Sequence, residues 1–153
     1  MTVVFRRCTI LPARPDVCYA TSLDVDFHQH SFEESDERAV GGVQHGEMSL
    51  DDTVTWSARH FGRTWTMSTV ISEVDPPHRF VDEQIDGPFR SFRHEHTFRA
   101  LGESSTEMWD HVSFVAPYGP AGWIAEKLVL GWYLPKLIDV RNAALVEEVG
   151  RRG

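Results

Sequence analysis

A chain of 153 residues with 41% hydrophobic side chains falls in the size range of one domain and has enough apolar mass to bury a core and line a cavity. Fifteen Lys and Arg against 23 Asp and Glu leave a formal charge of -8 without a basic cluster, which excludes an extended nucleic-acid or anionic-membrane surface. The opening Met-Thr-Val-Val-Phe-Arg-Arg lacks the charged-then-apolar order of a signal peptide, and no stretch has the ~18 consecutive apolar residues of a membrane span, so a cytoplasmic protein without integral membrane association is expected. Cys8 and Cys18 are not a close metal pair and read as buried free thiols rather than a structural disulfide.

Val3 to Leu11 reads as a strand, after which the Pro12 and Pro15 punctuation opens helical stretches through Asp16, Val17, Tyr19 and Ala20 towards Phe27. Two short helices fill this gap. Strand-like runs then follow at Ala39 to Met48, Val54 to Phe61, Thr64 to Val74, Phe80 to Ile85, Ser91 to Leu101 and Thr106 to Val115. Turn residues separate most of them: Asp51-Asp52, Gly62, Asp75-Pro76-Pro77, Asp86-Gly87-Pro88 and Gly102 to Ser105. From Gly119-Pro120 to Val149 the apolar spacing predicts one helix of roughly 30 residues, kinked near Gly131 and Pro135 and stopped by Gly150. Strand, two short helices, six strands and a long C-terminal helix specify an α+β fold in which a strongly bent antiparallel sheet grips the helix.

The string Phe92 to Phe98 carries the most unusual chemistry. In a strand, Phe92, His94, His96 and Phe98 share one face while Arg93, Glu95 and Thr97 share the other. Aromatic rings at both ends turn the histidine face inward, where two imidazoles either satisfy each other's neighbourhood or serve a ligand. On the next strand Met108, Asp110, Val112 and Phe114 share a face, which puts a carboxylate among apolar groups. On the preceding strand Val81, Glu83 and Ile85 form the more apolar face, making Glu83 the inward acid, although Phe80 breaks the pattern. An odd connection through Gly87-Pro88 would bring Asp82 and Gln84 inward instead. In the last helix Trp123, Leu130, Leu134, Leu137, Arg141 and Leu145 fall within one broad stripe, so Arg141 either runs its stem across the sheet to water or binds Glu83, Asp110 or a ligand.

Over almost the whole chain these features resemble the SRPBCC superfamily, the helix-grip domains of the START, birch-pollen-allergen and polyketide cyclase/dehydrase group. The resemblance is carried by Pro76-Pro77-His78-Arg79-Phe80-Val81-Asp82-Glu83-Gln84, Gly87-Pro88-Phe89, the Phe92 to Phe98 string, Thr106-x-Met108-x-Asp110-x-Val112-x-Phe114, and Val140-Arg141. It implies a cavity between sheet and helix that holds an apolar small molecule, in carriers and cyclases alike. Where relatives look charged in the middle of the last helix, this chain has Leu128-Val129-Leu130-Gly131-Trp132-Tyr133.

The expected function is binding of a small hydrophobic or aromatic molecule, such as a lipid, quinone or polyketide-like compound, by a single helix-grip domain over residues 1–153. The candidate lining is Met67, Ile71, Phe92, His94, His96, Phe98, Met108, Asp110, Val112, Phe114, Leu130, Leu134 and Ile138, with Glu83 and Arg141 as further polar groups. The alternative is a polyketide cyclase/dehydrase-type enzyme in which a histidine is the base, a carboxylate fixes its tautomer and Arg141 stabilises an enolate. A second alternative is an interaction protein whose nine Phe and five Trp fill the cavity. His94 and His96 with Glu83 or Asp110 have the composition of a two-histidine, one-carboxylate metal site, but spacing alone does not carry one, and no metal or cofactor is expected. His28 and His30, near Glu33 and Glu34, sit in a polar connection and read as solvated. Leu128, Val129 and Trp132 lie away from the packed stripe, and an apolar patch there suits a two-fold homodimer.

Overall fold

A computed structural model describes residues 2–117 and 131–153. Seven strands run β1 (Thr2–Leu11), β2 (Arg38–Gly42), β3 (Thr53–His60), β4 (Arg63–Asp75), β5 (Arg79–Asp86), β6 (Ser91–Gly102) and β7 (Ser105–Val115). They form one antiparallel sheet in the order β1-β7-β6-β5-β4-β3-β2. Between β1 and β2 lie α1 (Pro15–Ser22) and α2 (Val25–Ser31), and α3 (Tyr133–Arg152) ends the chain. The sheet curves, and its β4/β5 pairing slips at Ser68/Thr69 and again at Ile71/Glu73. Each extra residue bends its strand and increases local twist, which helps the sheet wrap around the helix.

Local chemistry explains the boundaries. Pro15 opens α1 from an extended Arg14, where its missing N–H costs nothing. Asp24 caps α2 by accepting from the backbone N–H groups of Asp26 and Phe27. The second strand stops at Gly42 rather than reaching Met48, because Gly42 adopts φ +68° and a Cβ there would lie 2.2 Å from the Thr53 carbonyl oxygen.

Alternation along β6 and β7 buries Phe92, His94, His96 and Phe98 on one strand, and Thr106, Met108, Asp110, Val112 and Phe114 on the other. Tyr19, Phe80 and Phe98 meet edge-on or stacked in the main core, with Leu11, Met108, Leu145 and Val149 beneath them. Phe92, Val112 and Phe114 form a second cluster with Phe89 and Leu134. Ile138, Arg141, Asn142, Leu145 and Val149 recur at helical spacing, so one stripe of α3 is buried.

Three expectations change. Pro135 lies in the first turn of α3, where its nitrogen has no intrahelical acceptor to lose, so it does not kink the described helix. Gly150 does not stop that helix, because Arg152 two residues on binds Asp24 at 2.8 Å and Thr21 at 3.3 Å and holds the last turn against α1 and α2. Cys8 is exposed on edge strand β1, whereas Cys18 is buried; both are free thiols.

Candidate functional site

Register brings the polar groups together. Opposed residues of an antiparallel pair share a face, and Asp82 stands opposite His94, Phe80 opposite His96, His94 opposite Val112, and His96 opposite Asp110. From the other side α3 adds Arg141 and Asn142. The His94 and His96 rings stack with centroids 3.7 Å apart, and Phe80 stacks on the far side of His96 at 4.1 Å.

Asp110 is the centre of this cluster. It is fully buried and accepts hydrogen bonds from His94 Nε2 at 2.7 Å, from Asn142 Nδ2 at 2.7 Å and from Arg141. Burial alone would raise its pKa, but the Arg141 guanidinium and the His94 hydrogen bond overcome that and hold the carboxyl far below the usual carboxylate range. Asp82 meets His96 Nε2 at 2.8 Å and is likewise held low, since this bond and the surrounding positive charge outweigh desolvation. Burial, then the field of His94, push His96 down to about 4 in spite of Asp82. An ionised carboxylate only accepts, so His94 donates through Nε2 and its Nδ1 has no partner among the described residues.

The cluster floors a cavity of about 400 Å³ between the sheet and the helices. Met67, Ile71, Phe92, His94, His96, Leu134, Ile138 and Arg141 are on its wall. Asp110 lies behind His94, while Phe98, Met108, Val112 and Phe114 are buried in the packed interior. Leu130 lies outside the described residues.

Glu83 is corrected. It sits on the other face of β5, half-exposed, 3.9 Å from Arg93, and Asp82 takes the inward position. The last β5/β6 rung is Glu83 with Arg93, leaving an odd run, residues 84 to 92, between them. The alternate parity therefore holds, and Phe80 was its sign. Gln84 closes the turn through both the N–H and the carbonyl of Phe89.

Other wall residues had no clear signal in the sequence. His28 is only partly exposed: its ring packs at a tilt on Trp56 with centroids 4.2 Å apart and its Nε2 meets Glu37 at 2.8 Å, all three on the wall. Only the spacing of Phe27, His28 and Phe32 across a short helix could have suggested it. His30 stays exposed beside Glu33. His60 and Tyr133 join at 2.8 Å from β3 and α3 and also line the cavity, and burial lowers the His60 pKa. Asn142, the third donor to Asp110, was missed as well.

Asp82, His94 and His96 can bring ligand atoms within 4.8 Å of one another. Ring lone pairs lie in the imidazole planes, and those planes are 22° from parallel, so the two histidines do not aim at one ion. Arg141 adds positive charge beside them. The set does not fit a resident metal.

No family model matches the chain, and no curated protein does. Solved structures do. The protein TTHA0849 from Thermus thermophilus superposes with a TM-score of 0.78 at 18% identity, covering 96% of this chain and 97% of that one. The chain shares the helix-grip fold of this structure. The ZhuI aromatase/cyclase from Streptomyces sp. R1128 gives a TM-score of 0.74 at 18% identity, covering 99% of this chain and 96% of that one. A START superfamily protein from Mycobacterium smegmatis gives 0.73 at 12% identity, over 98% and 99%. No helix among the described residues is long and apolar enough to cross a membrane.

Proposed function

We propose that this helix-grip chain binds a small hydrophobic or aromatic molecule between its sheet and its C-terminal helix, as a single ligand-binding domain. The observation that carries the reading is the cavity of about 400 Å³, walled mostly by apolar side chains and floored by a few convergent polar groups. Such a site combines apolar burial with orientation by hydrogen bonds. Native mass spectrometry for a co-purified ligand, with a thermal-shift screen of fatty acids, polyprenyl quinones, flavonoids and aromatic polyketides, tests it. Stabilisation by at least one class is expected, since a ligand that binds only the native state raises its stability by mass action. Uniform silence in both assays would return the filled-interior interaction protein.

One observation favours a second reading, a cyclase/dehydrase-type enzyme. Asp110 fixes His94 through Nε2 and leaves Nδ1 without a partner among the described residues, which is the arrangement of an oriented base. In that reading His94 Nδ1 takes a proton from the carbon beside a ligand carbonyl, and Arg141 stabilises the enolate oxygen that results. The fold shared with the Streptomyces aromatase/cyclase is consistent with this chemistry. Turnover of a poly-β-ketone analogue, lost in His94→Ala, is its test.

A cytoplasmic setting belongs to the same proposal, supported by two unpaired thiols. So does a homodimer through Trp132, which is 58% exposed; Leu128 and Val129, the rest of that patch, lie outside the described residues.

A further inference from the structure

Among the described residues, the charged groups on the cavity wall are unbalanced: Asp24, Glu37 and Asp82 against Arg141. Resting on the binding reading above, we propose that the cavity selects a neutral or cationic ligand that donates hydrogen bonds, a phenol or an arylalkyl amine, and rejects the carboxylate of the same skeleton.

Arg141 is the natural anchor for an anion, but its charge is already balanced by Asp110, which it binds through Nη2. Around the floor, with His94 in its neutral form, the charges among the described residues are Asp82, Asp110 and Arg141, which leaves one negative charge in excess. His96 does not cancel it, because an imidazole held near 4 is neutral at neutral pH. Farther along the wall, Glu37 has His28 as its only side-chain partner among the described residues, and Asp24 is matched by Arg152. An entering carboxylate would shed its water and meet this excess without an unbalanced cation among the described wall residues.

The unused hydrogen-bonding capacity has the same sense. Asp82 Oδ2 takes His96, while its other oxygen has no partner among the described residues. His94 Nδ1 also has none, and His94 in its neutral form offers a lone pair there. Two acceptors on the floor call for a donor on the ligand. A hydroxyl or ammonium group supplies it and a carboxylate does not. Trp56 and Phe92 on the wall offer flat apolar surface to the aromatic body.

Three probes with one skeleton test the proposal at pH 8: 2-naphthol, 2-naphthylmethylamine and 2-naphthoate, followed by quenching of protein tryptophan fluorescence and by thermal shift. The phenol and the amine are expected to bind at least about tenfold tighter than naphthoate, since an uncompensated like charge in a binding site is strongly unfavourable. Asp82→Asn should narrow the gap by improving naphthoate relative to the amine, with circular dichroism checking the fold. Glu37→Gln, on another part of the wall, should act in the same direction and serves if Asp82→Asn does not fold. Naphthoate binding as tightly as the other two overturns the selectivity and leaves the binding reading intact. Silence from all three probes while native mass spectrometry finds a bound apolar molecule also overturns it. Silence in both experiments sinks the selectivity and the binding reading together.

Discussion

Asp82 stands directly opposite His94 but bonds to His96, two residues along the strand. Asp110 does the reverse, standing opposite His96 and bonding to His94. Each imidazole is held by the carboxylate that faces its neighbour, so the two pairs cross beneath the stacked rings and neither histidine can move independently.

The two acids are therefore expected to differ sharply on removal. Asp110→Ala leaves Arg141 buried without a counter-charge and should cost about 3–5 kcal/mol, enough to unfold a marginally stable domain. Asp82 is only partly buried, so Asp82→Ala should cost about 1–2 kcal/mol. Urea titration of both variants checks the order; equal losses would refute a centre at Asp110.

Stability should fall with acid in two stages. His96 is held down to about 4 in the fold, whereas an unfolded imidazole titrates at its ordinary value, so the unfolded chain takes the proton first. The contribution of neutral His96 is present above about pH 6.5 and is lost as pH falls towards 4, by about 3 kcal/mol. Below that, Asp82 and Asp110, both held under their ordinary values, add a second loss as they protonate. Urea midpoints at pH 7.5 and pH 5 measure the first stage, which His96→Gln should flatten.

The histidines separate binding from chemistry. His94→Ala and His96→Ala should weaken binding of an aromatic ligand, and an enzyme would also lose kcat beyond its loss of affinity. Unchanged affinity with lowered stability in both variants would make the pair purely structural.

Glu83→Gln provides the matched control. Its side chain is exposed on the outer face near Arg93, and its removal should change stability by less than roughly 0.5 kcal/mol and leave ligand affinity unchanged. A clear loss of binding would put Glu83 back in the cavity.

Trp132→Glu tests association. With a bulky ring more than half exposed, the wild type is expected to be a dimer in light scattering at micromolar concentration and the variant a monomer with the same circular dichroism. A monomeric wild type refutes the interface.

Two-residue periodicity was enough to recover the strands, apart from the end of β2, and the inward faces of β6 and β7, while helical spacing placed Arg141 in an apolar stripe but left open whether its head reached water or a carboxylate. The error at Glu83 has a definite origin. Which face of β5 points inward depends on the parity of a turn, and composition favoured Val81 and Ile85, although the sheet bends enough to bury Val81 and leaves Ile85 exposed. Phe80 carried the right answer but was one residue against several. His28, Glu37 and Tyr133 were illegible for another reason: they reach the cavity through packing between distant segments, and polar residues in short elements have no periodicity to reveal it. Pro135 was misread because its effect depends on where the helix begins.

The two ends of α3 are secured unequally. At its C-terminal end Leu145 and Val149 are completely buried and Arg152 is tied to Asp24 and Thr21; at its N-terminal end Trp132 offers no side-chain cap and the first turn leans on Tyr133 and His60. Among the described residues the helix is thus tied more firmly at its far end. Amide exchange should be slow from Leu145 to Arg152 and fast over Tyr133 to Leu137, and a guest occupying the cavity should slow the second group alone.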